Sequence, residues 1–91
     1  MSILVYYTSV SSSREVKKHQ SKIFSYLDSK KIAYKTLDIS QSSEIKDEMR
    51  KKTGDPTSLP PQIFHGDTYC GDYSMFDTAL EDETVEAFLK L

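Results

Sequence analysis

The sequence predicts one α/β domain spanning residues 1–91, in the order β-α-β-α-β-β-α. It is expected to form a four-stranded mixed sheet with helices on both faces. Three observations predict this. Ile3–Tyr7 is an unbroken apolar run of strand length, rich in β-branched and aromatic residues, which suits a central strand. A helical stripe and a second apolar segment follow at the spacing of a βαβ unit, so the first two strands should be parallel. Farther on, a proline-led extended segment meets a His65-Gly66-Asp67 turn, which folds two strands into a hairpin.

Each element has its own signal. Residues 8–13 are a polar, serine-rich loop, and Ser12-Ser13-Arg14-Glu15 reads as a Ser-x-x-Glu capping box, so a helix begins near Ser13. Val16, Gln20, Ile23, Phe24 and Leu27 then fall on one stripe, with Lys17, Lys18 and Lys22 on the solvated side. Residues 32–39 place Ile32, Tyr34, Leu37 and Ile39 at strand spacing. Ser42 or Ser43 caps a short helix carrying Ile45 and Met49, which ends at Gly54. Pro60 and Pro61 bias their predecessors away from helix, so residues 59–64 are extended. Residues 68–70 return as a short strand. Asp72 caps a helix with Met75, Phe76, Ala79 and Leu80 on one face, and Val85, Phe88 and Leu89 mark a last helical turn.

Composition narrows the function. Twelve Lys+Arg against 14 Asp+Glu give a net charge of −2, so no basic excess is present to bind a phosphate backbone, and nucleic acid is not an expected partner. The apolar N-terminal run is too short for a signal h-region or a membrane span, and no membrane contact is expected. One cysteine, Cys70, excludes an intramolecular disulfide and a dithiol redox pair. A domain this small without disulfide staples fits a reducing compartment, so the expectation is a monomer in the cytoplasm, small enough to enter the nucleus. His19, His65 and Cys70 match no standard metal spacing, and no metal or cofactor is expected.

Two segments resemble glutaredoxins. Leu59-Pro60-Pro61-Gln62-Ile63-Phe64 is similar to the segment that carries their cis proline, and Tyr69-Cys70-Gly71-Asp72-Tyr73 is similar to the Gly-Gly-x-Asp corner after it. The Cys-Pro-Tyr-Cys motif is missing, and Ser9-Val10-Ser11-Ser12-Ser13-Arg14-Glu15 stands in its place. Together with Leu37-Asp38-Ile39-Ser40 and Asp47-Glu48-Met49-Arg50, these segments resemble the SH3 domain-binding glutamic acid-rich-like proteins over residues 2–91. That family is glutaredoxin-related and lacks the active cysteines. The likeness is to its short members, without the glutamate-rich tail.

The resemblance implies a thioredoxin/glutaredoxin-like fold and a non-catalytic protein, not an enzyme. Such a protein acts through protein–protein contacts, as a modulator of glutaredoxin activity or a small adaptor. It also implies a cis proline at Pro61 and a vestigial glutathione groove at Ser12, Pro60, Pro61, Asp72 and Tyr73, weakened or lost. Pro60 has no N–H to pair with the tripeptide. The lysine expected near Thr8 or Ser9 is missing, and Tyr73 replaces the corner aspartate while Asp72 moves one place forward. A serine hydroxyl stays protonated at neutral pH and cannot take the place of a thiolate at a helix N-terminus. The alternative is a redox-sensitive or glutathione-linked thiol at Cys70, or an Fe–S ligand there, although a cluster needs several thiolates. Residues 60–64 also match a Pro-Pro-x-x-Phe ligand pattern of EVH1 domains, which needs Phe64 free.

Overall fold

The computed structural model describes residues 2–11 and 13–91. The expected order is present: β1 Ile3–Tyr7, α1 Arg14–Ser29, β2 Tyr34–Asp38, α2 Ser43–Thr53, β3 Gln62–His65, β4 Thr68–Asp72, α3 Tyr73–Glu81 and a short α4 Val85–Phe88. The sheet runs β2-β1-β3-β4. β1 pairs parallel with β2 and antiparallel with β3, and β3 pairs antiparallel with β4. Central β1 explains its unbroken apolar sequence, since both of its faces are covered.

Side-chain alternation sorts the core into two layers. Ile3, Val5 and Ile63 pack with Ile23 and Leu27 of α1, Phe76 and Ala79 of α3, and Val85 and Leu89 at the C-terminal end. Tyr6 and Phe64 turn to the other face, where Met49 of α2 covers them. The β3–β4 ladder has a bulge between Ile63 and Phe64: Ile63 pairs with Gly71 and Phe64 with Tyr69, leaving Cys70 as the extra residue. Next to it, Gly71 has φ 151°, and a Cβ there would lie 2.8 Å from Met75 Sδ and 2.8 Å from Phe88 Cε1. Glycine is needed at that position because α3 and α4 close down on the backbone.

The helix ends follow local chemistry. Ser42 accepts a hydrogen bond from Glu44 N–H at the start of α2, and Gly54, at φ 76°, ends it with its N–H on Arg50 O. Asp72 accepts from Met75 N–H at 3.0 Å to cap α3. At α1 the cap falls one residue later than the capping-box reading. Ser13 accepts from Val16 N–H at 3.2 Å, which makes Val16 the third residue of the helix and leaves Glu15 outside the box geometry. Glu15 instead lies 3.7 Å from His19, one helical turn on. Three further expectations change. β2 is shorter than 32–39, because Ile32 N–H is used on Leu27 O in the turn after α1. β4 runs two residues past Cys70. Met75 is 49% exposed and not on the buried face of α3.

Candidate functional site

A groove of about 690 Å³ opens between the start of α1, the proline corner and the start of α3. The serine loop leads from β1 to it and lines it at Ser13. Gln20, 93% buried on α1, holds that loop: its Oε1 accepts from Thr8 N–H at 2.9 Å and its Nε2 donates to Thr8 O at 3.0 Å. The amide thus pairs with one residue's backbone as a neighbouring strand would. Read as one member of an apolar stripe, Gln20 is the functional residue that periodicity hides. Beyond Thr8, Asp38 at the end of β2 accepts from Ser9 N–H, Ser40 N–H and Ser40 Oγ. Partial desolvation alone raises the carboxyl's pKa, but the combined bonds from Ser9 and Ser40 outweigh it and hold the group well below the usual carboxylate range.

The opposite wall is the proline corner. The Pro60–Pro61 peptide bond is cis. Its approach is tied to α2: Arg50 Nε donates to Ser58 O at 3.2 Å, and Thr53 Oγ1 donates to Ser58 Oγ at 2.9 Å. Its exit is tied by Gln62, whose Nε2 donates to Leu59 O at 2.7 Å while its Oε1 accepts from Tyr69 OH at 2.6 Å. Phe64 is 1% exposed. The side chain that an EVH1 groove would need is therefore in the core. Leu59, by contrast, is 64% exposed at the rim.

The third wall is the start of α3. The Tyr73 ring stacks on His19 of α1 at 3.7 Å between centroids and 4° between planes. No spacing rule would pair these two rings, since they come from different helices. Tyr69 has its pKa raised by burial first, then by the charges of Asp72 and Asp55, so two carboxylates from opposite walls act on one phenol.

The structure therefore brings together Pro60, Pro61, Asp72 and Tyr73 at one groove. Ser12 lies outside the described residues. Cys70 is elsewhere: 5% exposed, it faces the core layer under α1 and α3, and burial raises its pKa. His65 is also apart from the groove, with Nδ1 within 3.0 Å of Leu89 O and 3.1 Å of Lys90 O. Among the described residues no group of three or more His, Cys, Asp and Glu is arranged to hold a metal ion. No helix of the described residues is long and apolar enough to cross a membrane.

Comparison with known proteins bears on this groove. The family model of the SH3-binding, glutamic acid-rich protein matches residues 1–91. A Drosophila melanogaster SH3 domain-binding glutamic acid-rich protein homolog is 43% identical over 103 aligned residues, covering 100% of this chain and 65% of the relative. The chain thus spans just under two thirds of that relative's length. Among solved structures, buckwheat glutaredoxin in complex with glutathione superposes with TM-score 0.69 at 19% identity, covering 97% of this chain and 76% of that one. The Candida albicans actin interacting protein Aip5 does so with TM-score 0.76 at 17% identity, covering 97% and 87%. At such identities the structural likeness establishes a shared glutaredoxin-like fold.

Proposed function

The chain belongs to the SH3-binding, glutamic acid-rich protein family, and from that premise we propose that it is a non-catalytic glutaredoxin-like protein that binds other proteins through this groove. One observation carries the reading. The groove is framed by a cis-proline corner and a helix N-terminus, yet the only thiol in the chain, Cys70, is buried in the core layer under α1 and α3 and does not line the groove. Thiol exchange needs an accessible thiolate. A buried thiol with a raised pKa is a poor one, which also argues against a redox-sensitive, glutathione-linked or Fe–S role at Cys70.

Glutathione itself has lost its anchors. Pro60 offers no N–H, and the ring of Tyr73 is stacked against His19 where a corner aspartate would meet the tripeptide. Affinity no tighter than about millimolar is expected. The protein acts as a modulator of glutaredoxin activity or as a small adaptor. A glutathione-dependent disulfide reductase assay tests the reading. No turnover is expected from this protein. A changed rate when it is added to an active glutaredoxin marks the modulator form, and an unchanged rate marks the adaptor form. Glutaredoxin-like turnover that disappears in Cys70→Ser would overturn the reading.

A further inference from the structure

The groove is lined by an apolar set and an acidic set of side chains. Leu59, Pro60, Val16 and Tyr73 supply the first. Glu15, Asp55 and Asp72 supply the second, one from each wall, and among the described residues no lysine or arginine lines the groove. Arg50 is used on Ser58 O, and Arg14, between Ser13 and Glu15 in sequence, is not among the lining residues.

The fold occupies only part of each aspartate. Asp55 Oδ1 accepts from Thr57 N–H and Oγ1, and Asp72 Oδ1 accepts from Met75 N–H. Among the described residues the second oxygen of each makes no hydrogen bond. Glu15 is 79% exposed and lies 3.7 Å from His19. Pro60 contributes a backbone acceptor without a donor. The groove therefore asks its ligand for donors and positive charge, the opposite of what an anionic tripeptide brings.

We propose that the groove receives an extended basic segment of a partner protein, arginine side chains meeting Glu15, Asp55 and Asp72 while an aliphatic neighbour packs on Leu59 and Pro60. Arginine suits the site better than lysine. Its planar fork bonds two carboxylate oxygens at once, and its face stacks on aromatic rings such as Tyr73. This inference rests on the protein-binding reading and names the chemistry of the partner.

The test is an NMR titration of the whole chain with a capped peptide in which two arginines flank a leucine. The same peptide with glutamates is the control. Saturable shifts are expected at Glu15, Asp55, Asp72 and Tyr73, weakening several-fold between about 50 and 300 mM salt. The triple substitution Glu15→Gln, Asp55→Asn, Asp72→Asn should lower affinity about tenfold or more with the fold intact by circular dichroism. Asparagine still caps a helix and still accepts in a tight turn, so the scaffold survives the change.

Equal binding of the acidic peptide would overturn the inference. So would shifts centred on the separate acidic cluster of Glu81, Asp82, Glu83 and Glu86, or no saturation up to about 10 mM peptide. If the basic peptide stays silent while a glutaredoxin still shifts the groove, the inference falls and the protein-binding reading stands. Reductase turnover would instead remove the reading itself.

Discussion

The serine loop, which reaches the groove at Ser13, and the proline corner, which lines it, are held in different ways. The loop, residues 8–11 and 13, is largely exposed and is kept in place by side chains that bond its backbone: Gln20 on Thr8, Asp38 on Ser9, Ser11 on Ser13. The corner also has side-chain bonds to its backbone, from Arg50 to Ser58 O and from Gln62 to Leu59 O, but packing is added to them, with Ser58, Pro61 and Gln62 all inside the molecule. The difference teaches what each wall can lose. A loop fixed through its backbone can exchange its other side chains without moving. A corner fixed by packing tolerates little change in shape, and what it has lost is a single donor, the N–H of the residue at Pro60.

Removing the loop's main anchor should have the largest effect. Gln20→Ala strips both partners from a part-buried Thr8 backbone. We expect a loss of about 2–3 kcal/mol in urea unfolding, with faster amide exchange confined first to the loop. A loss under about 0.5 kcal/mol would mean that water replaces the amide freely, and the loop would then be no more anchored than any surface turn.

The corner should respond less to one lost bond, because packing remains. Arg50→Leu removes the Nε donor from Ser58 O and keeps the aliphatic bulk. About 1–2 kcal/mol is expected, with chemical-shift changes at Leu59 and Gln62 but none at Thr8. Coupled movement of both walls would erase the contrast between them.

How much of this was legible in the sequence follows the same contrast. The proline corner could be read because proline restricts its own backbone and its predecessor's, whatever surrounds it. The caps at Ser42, Asp72 and Gly54 were legible for the same local reason. The loop was not. The Gln20 clamp, the Asp38 node and the His19–Tyr73 stack join residues 12 or more apart in sequence, and a polar residue in an apolar stripe carries no mark of what it will bond. Met75 falls in the helical stripe of α3 yet is 49% exposed, which spacing alone does not show. A bulge, which no local signal announces, places Cys70 in the core.

Acid should weaken the loop wall selectively. The folded-state pKa of Asp38 lies below its unfolded value, so the carboxylate's contribution is fully present above the unfolded value, about 3.9. It is lost as pH falls through the lowered folded value. The stability gap between wild type and Asp38→Asn should therefore be constant from neutral pH down to about 5 and should shrink below about 4. Asp38 is partly exposed and asparagine retains some of its bonds, so a gap of about 1 kcal/mol at neutral pH is expected. A gap that widens in acid would show that the carboxylate is not what organises Ser9 and Ser40.

The smallest effect separates two ways of starting α1, and it decides which residues remain available to the groove. A capping box at Ser12 would make Glu15 a structural residue, its carboxylate turned back to the helix start. The cap at Ser13 leaves Glu15 in the first turn, 79% exposed and beside His19. The two arrangements differ in what substitution costs. With the cap at Ser13, Ser13→Ala should lose about 1 kcal/mol in urea unfolding, because Val16 N–H loses its acceptor. Glu15→Ala should lose only a few tenths, the worth of an exposed carboxylate near a helix N-terminus. The box arrangement reverses the weights, making Glu15→Ala costly and Ser13→Ala nearly silent. If Glu15 proved the costly one, its carboxylate would belong to the helix and not to the groove, and the acidic wall would be reduced to Asp55 and Asp72.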